Sequence, residues 1–294
     1  MTENLVIDFT PTGMIPTKSL TPYVPVSISE IIEDVHSAWE LGITKVHLHA
    51  RDHETGNPSY LKEIYAEIIG GIRKYAPGLV ICVSLSGRTF NKFEERSQVL
   101  ELEGNLKPDM GSLTLSSLNF NKIASVNTPD MIQNLAAKMK DLGILPELEA
   151  FDAGMINFAK YLIRKGLLIA PHYFNLLLGN IACAQADILY AGLMIRDLPE
   201  NSTWSLAGIG DSQLMMNSVS IAIGGGVRVG LEDNIWYDSR RTQLARNIEL
   251  LKRIHILADA NGRKIMSSDE FREKLHLEPG NGKYGRNYEK NKSE

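Results

Sequence analysis

The run VHLHARD places His47 and His49 two residues apart within an otherwise apolar stretch. On a strand, residues two apart point to the same side, so both imidazoles face one way while Val46 and Leu48 face the other. Two imidazoles on one face suit Zn²⁺ or a similar divalent ion. The alternative is a pair of core histidines satisfied by hydrogen bonds. A third ligand has to come from elsewhere in the chain. In GGGVRVGLEDN, Arg228, Gly230 and Glu232 share one phase and Val227, Val229 and Leu231 share the other. Glu232 falls inward at the end of that run, and Asp233 falls at the turn. His47, His49 and Glu232 then form a His2Glu set with open coordination positions, which is a catalytic rather than a structural arrangement. Arg228 lies one inward step below, where it can pair with Asp233 or with a substrate anion. The alternative is a buried Arg228–Asp233 bridge that only orders the fold.

PELEA offers Glu147 and Glu149 on one face, and two like charges that close cannot both go unpaired. One is expected to face the site and the other an internal Arg or Lys. Ser84 and Ser86, then Ser112, Thr114 and Ser116, add hydroxyls that either bind substrate oxygens or cap helices. No G-x-S-x-G elbow, Walker A loop or dinucleotide fingerprint is present, and Gly224–Gly226 reads as a turn into the last strand.

These residues sit at the ends of short β-rich runs: 5–9, 45–50, 79–84, 109–114, 146–150, 172–178, 203–208 and 226–231. Helical patterns separate them, near 29–41, 60–75, 91–103, 128–142, 153–166, 184–196, 211–223 and 238–260. Ser29 and Thr128–Pro129 read as helix starts, and Gly42, Gly143 and Gly166 as helix stops. Eight strand–helix units predict a (β/α)8 TIM barrel, with a doubly wound open sheet as the other solution. In a barrel the eighth strand neighbours the first, and the first neighbours the second. Closure therefore brings Glu232 toward His47 and His49. Residues 1–275 are read as a single catalytic barrel and 276–294 as a frayed, solvated C-terminal tail.

Apolar residues make up 44% of the 294 and charged residues 22%, as in ordinary globular proteins, and the net charge of −4 gives no basic excess for nucleic acid. No run of about 18 apolar residues predicts a membrane span. The acidic start MTENLVIDF does not read as a signal peptide. Two cysteines, Cys82 and Cys183, indicate no disulfide framework and suit the cytoplasm.

With HLHARD near its start, PELEAFDAGM in the middle and GGGVRVGLEDNIWY near its end, the chain resembles the β-keto acid cleavage enzymes, whose founding member cleaves 3-keto-5-aminohexanoate. The likeness covers about residues 4–260. It implies a zinc-dependent, commonly tetrameric barrel that converts a β-keto acid plus acetyl-CoA into acetoacetate and a new acyl-CoA. It implies metal ligands at His47, His49 and Glu232, and substrate contacts at Ser84 and at Ser112, where the family usually has Thr. It also implies a functional acid at Glu149 and an Arg228–Asp233 dyad in which Asp233 is the general base.

The chain departs from the family in two loops. Ile15, in TGMIPTK, stands where the founding enzyme has an acid for the substrate amine. GNIACAQAD (179–187) replaces a G-V-P-G-G-like loop, which bears on how CoA is gripped. Ile15 and Met14 predict an uncharged, partly apolar substrate tail. Arg88, in SLSGRTF, predicts an anionic tail if it reaches the pocket; otherwise it binds CoA phosphate or lies on the surface. The rival functions are another metal-dependent barrel enzyme, of the amidohydrolase or metal aldolase type, and an inactive metabolite-binding barrel. An amidohydrolase usually carries its H-x-H on the first strand and adds further histidines. Here the motif falls on the second, and His36, His53, His172, His255 and His276 form no such pattern.

Overall fold

Eight parallel strands close on one another in sequence order: Ile7–Phe9, Lys45–Leu48, Val80–Val83, Met110–Thr114, Leu145–Ala150, His172–Leu178, Ser202–Gly208 and Gly226–Val229. The computed structural model describes residues 3–288. The last strand pairs with the first and the first with the second, so the closed barrel is the correct alternative and the open sheet is excluded. Each expected strand is present with its ends moved by no more than two residues. Two short strands, Leu118–Asn119 and Ala124–Ser125, pair antiparallel in a hairpin beyond the fourth strand that the sequence pattern does not reveal.

The helices form where their apolar faces can cover the barrel. Ile28–Leu41 buries Ile31, Val35 and Ala38, at helical spacing. Its cap is Ser27 rather than Ser29, in a capping box with Glu30. Pro129–Asp141 starts on Thr128 as expected, and Gly42, Gly143 and Gly166 close their helices at positive φ.

Two helical expectations are corrected. The stretch 91–103 holds only Phe93–Ser97 followed by 3₁₀ turns. The last long helix spans Asn247–Ala260, not 238–260. Asp238 explains the late start, because its carboxylate accepts hydrogen bonds from the backbone of Arg240, Thr242 and Gln243 and diverts the chain into turns.

The expected tail from residue 276, as far as it is described, is not a solvated end, since Leu277, Tyr284, Gly285 and Arg286 are buried, and an unexpected helix precedes it. Ser268–Lys274 is an added helix whose Phe271 packs edge-on against Tyr173, ring centroids 5.2 Å apart. With Leu275 and Leu277 it plugs the barrel floor beneath Val80, Cys82, Met110 and Leu145. Buried Arg272 and Arg73 pair with Asp109, whose carboxylate also accepts from the Gly285 backbone at 3.0 Å. Arg286 is buried with its guanidinium on the carbonyls of Ile169, Ala170 and Pro171. These contacts come from residues distant in sequence, so the polar composition of the tail gives no hint of them. Lys290 and Lys292 lie outside the described residues.

Candidate metal centre and active site

The site grows from the period-two alternation of the second strand. Lys45, His47 and His49 project into the barrel, at three successive depths. At the bottom, Lys45 Nζ lies 2.6 Å from Asp8 Oδ1 and is also bonded to Glu147, with all three side chains fully buried. Glu147 Oε1 in turn lies 2.6 Å from His47 Nδ1. His47 Nε2 and His49 Nε2 stand 3.1 Å apart, and His49 Nε2 is 3.1 Å from Glu232 Oε1. The ligand atoms of His47, His49 and Glu232 all lie within 4.8 Å of one another.

Two loops bring Glu232 there. Its backbone N–H donates to Thr10 at 3.2 Å. Gly13, at φ +70°, passes so close that a Cβ would fall 2.4 Å from Glu232 Cγ, so only glycine fits at that turn.

Arg228 is the second organiser. Its Nη2 lies 2.7 Å from Glu232 and its Nε 2.9 Å from Asp233, while its Nη1 stands 3.7 Å from both Glu147 and Glu149. It therefore pairs with Asp233 as the strand phase indicated, and it also braces three further acids. Glu149 accepts a hydrogen bond from Thr114 at 2.7 Å.

Five buried or half-buried carboxyl groups thus meet, among the described residues, two bridging cations, Lys45 and Arg228. The proton affinities follow from this imbalance. Burial raises Asp8 and Glu149, and burial pushes Asp233 to about 6 despite Arg228. Burial alone would also raise Glu147, but Lys45, His47 and Arg228 outweigh it and hold that carboxyl well below the usual range. Burial depresses His49 to about 4, whereas Glu147 and Glu232 overcome burial and raise His47.

The residues fit a divalent cation. Glu232 Oε2 is buried without a hydrogen-bond partner, two imidazole nitrogens converge beside it, and the surplus negative charge calls for a cation. His47, Cys82 and Glu147 also cluster, but Glu147 is already bonded to Lys45 and to His47 Nδ1. His47 Nε2 is therefore the nitrogen turned toward His49 and Glu232.

Above the centre opens a cavity of about 350 Å³. Its walls include Ser84, Glu149, Asp233, Ile15 and Arg88. Arg88 is not a surface residue; its guanidinium stacks on Phe120 at 3.5 Å from the ring centroid. Ser112 does not line the cavity. It is buried, and its hydroxyl accepts from the Leu85 backbone at 3.0 Å. Thr114, one inward step higher on the same strand, is the hydroxyl that faces the cavity.

The sequence pattern missed Asp8 and Lys45. The available signal was Lys45 in phase with both histidines. GNIACAQAD is tied down by Asn180, whose side chain donates to the Asn119 backbone at 2.9 Å. It therefore packs against the hairpin that covers one side of the cavity.

The β-keto acid cleavage enzyme profile matches residues 4–277. The chain is 37% identical over 281 residues to a 3-oxoadipate:acetyl-CoA acetyltransferase of Cupriavidus necator, covering 94% of this chain and 96% of that protein. It is 35% identical over 280 residues to a 3-keto-5-aminohexanoate cleavage enzyme of Fusobacterium nucleatum, covering 94% and 99%. Among solved structures, the apo form of ObcA superimposes with a TM-score of 0.77 at 20% identity, over 86% of this chain and 65% of that one, which is a likeness of fold. The profile match spans every position of the centre described above, and the relatives match over nearly the whole chain: the chain belongs to the β-keto acid cleavage enzyme family.

Proposed function

We propose that this protein transfers an acyl group between a β-keto acid and acetyl-CoA, giving acetoacetate and a new acyl-CoA. The supporting observation is the convergence of His47 with His49 and Glu232 beneath a cavity that His49, Glu232 and Asp233 line. His47, His49 and Glu232 would hold the ion, proposed as Zn²⁺. When bound, it supplies Lewis acidity toward the keto and carboxylate oxygens of the substrate. Asp233, held by Arg228 at 2.9 Å, takes the proton from the carbon between those two groups. Arg228 fixes the orientation of that carboxylate and keeps it from swinging onto the ligand set. Ser84 lines the cavity and offers its hydroxyl to the substrate carboxylate. Glu149, oriented by Thr114 and facing the same Arg228 guanidinium as Asp233, would exchange protons with the acyl adduct as the carbon–carbon bond breaks. The balance is direct: the carbon–carbon bond to the departing acyl group breaks, one to the incoming acetyl group forms, CoA passes from acetyl to that acyl group, and Asp233 returns its proton to the same carbon as acetoacetate leaves.

Ile15 itself offers an ammonium no counter-charge. The amino substrate of the Fusobacterium relative is therefore expected to be poor here. The chain is proposed to work as a homotetramer in the cytoplasm. Ile188 and Leu189, 73% and 79% exposed, are surface that an interface would cover, and both cysteines are free thiols. Among the described residues no helix is long and apolar enough to cross a membrane.

Metal analysis, followed by a mass-spectrometric assay of acetyl-CoA with mixed β-keto acids, tests the proposal. Acetoacetate and a matching new acyl-CoA are expected. Hydrolysis of esters or lactones without acyl exchange would favour a hydrolase instead.

A further inference from the structure

We infer that Arg88 receives a second carboxylate at the far end of the substrate, so that the preferred β-keto acid is a dicarboxylate. This rests on the acyl-exchange reading above and names its substrate class.

Beyond the third strand the chain keeps a two-residue alternation. Ser84, Ser86 and Arg88 line the cavity, while Leu85 and Gly87 are buried in the wall. The wall is fixed from behind. The Leu85 backbone donates to Ser112 at 3.0 Å, and Arg96 donates to the Leu85 carbonyl at 2.8 Å. The Val126 backbone donates to the Gly87 carbonyl at 3.1 Å. A Cβ at residue 87 would lie 2.4 Å from the Val126 carbonyl oxygen, so glycine is required for that close approach. The Arg88 backbone N–H is bonded to Ser86 Oγ at 3.3 Å. Arg88 is thus mounted on a rigid loop, and its guanidinium is laid flat on Phe120.

Its donors are unspent. Among the described residues, no carboxylate forms an ion pair with Arg88, and its guanidinium makes no hydrogen bond. By contrast Arg51, Arg73, Arg96, Arg228, Arg272 and Arg286 are each committed to carbonyls or carboxylates. A stacked, partly desolvated guanidinium with free N–H groups facing a cavity matches a planar carboxylate.

Position decides between the substrate and CoA. Arg88 lines the same cavity as Glu149, Glu232 and Asp233. It therefore overlooks the reaction centre itself. The phosphates of CoA lie at the opposite end of the pantetheine arm from the thioester that must reach that centre. The free end of a short β-keto acid is the anion that can reach Arg88. Ile15 lines the same cavity and offers that chain an apolar contact.

The test compares kcat/KM for 3-oxoadipate and 3-oxohexanoate, which have the same chain length, in the wild type, Arg88→Met and Arg88→Lys. The wild type is expected to favour the diacid, and Arg88→Met to lower that selectivity ratio on the order of 10- to 100-fold, the loss of a charge-assisted pair. Arg88→Lys is expected to recover part of the ratio. A wild-type preference for the monoacid, or an unchanged ratio in Arg88→Met, overturns the inference. So does a rise in the KM for acetyl-CoA with the ratio preserved, which would assign Arg88 to CoA.

If no β-keto acid exchanges with acetyl-CoA, the acyl-exchange reading fails separately. Calorimetric binding of adipate against hexanoate to the wild type and Arg88→Met then still decides the role of Arg88. Tighter adipate binding that is lost in the variant supports it, and equal binding of the two acids overturns it.

Discussion

Glu147 Oε1 lies 2.6 Å from His47 Nδ1, deep in the barrel, and this contact decides which nitrogen of His47 faces the centre. With Nδ1 engaged, Nε2 is left for the ligand set, and the imidazole ring cannot rotate away. Glu147 is itself fixed by Lys45, which also binds Asp8. A chain of buried charges thus runs from the barrel floor to the ligand set.

The protein is expected to carry about one divalent ion per chain. His47→Ala and Glu232→Ala should each lose the ion and the activity while retaining a native circular dichroism spectrum. A barrel of this size is held by its core and not by one ion. Full occupancy in both variants, measured by elemental analysis, would remove these residues from the ligand set.

Asp233→Asn should keep the ion and the fold but lower turnover about a hundredfold or more, the usual scale for loss of a general base. Arg228→Met should impair the same step and also destabilise the protein, because it strips the bridge from Glu232, Asp233, Glu147 and Glu149. Turnover and denaturant unfolding separate the two effects. A near-normal rate in Asp233→Asn would shift the base to Glu149.

Lys45→Met leaves Asp8 and Glu147 buried without their cation. Breaking such a buried pair costs about 3–5 kcal/mol. Urea unfolding should show that loss, and adding Asp8→Asn in the same chain should recover part of it. A cost within experimental error would mean that water reaches the barrel floor.

His172 gives the barrel floor a pH dependence. It is 4% exposed, and burial, assisted by the nearby Arg286, holds its pKa down at about 4. An unfolded histidine titrates near 6.5. The unfolded state therefore binds the proton first as pH falls. Stability from this residue is complete above about pH 6.5 and is lost between there and pH 4, by about 3 kcal/mol. In unfolding measurements at pH 7 and pH 4.5, the stability difference between wild type and His172→Gln should shrink at the lower pH. A difference independent of pH would show that His172 titrates in the fold as it does in the unfolded chain.

Much of the site was legible because strands impose a period of two. That period alone puts His47 and His49 on one side, and it puts Arg228 in phase with Glu232. Eight alternating units of strand and helix were enough to expect a closed barrel. Closure then carried Glu232 to residues 183 positions away in the chain.

The period says nothing about depth. Ser112 and Thr114 share a phase, and only the stagger of the closed barrel puts Thr114 at the cavity and Ser112 in the wall. Lys45 shares the phase of the two histidines, but its partners Asp8 and Glu147 lie 37 and 102 residues away. A buried lysine becomes intelligible only when those acids are in place. Arg88 was ambiguous for the same reason: a loop arginine reads alike whether it meets water or a pocket. The wall built by Ser112, Arg96 and Val126, and the ring of Phe120, turn it inward. Local chain geometry determined which side chains point together; long-range packing, by setting depth and partners, decided which of them meet.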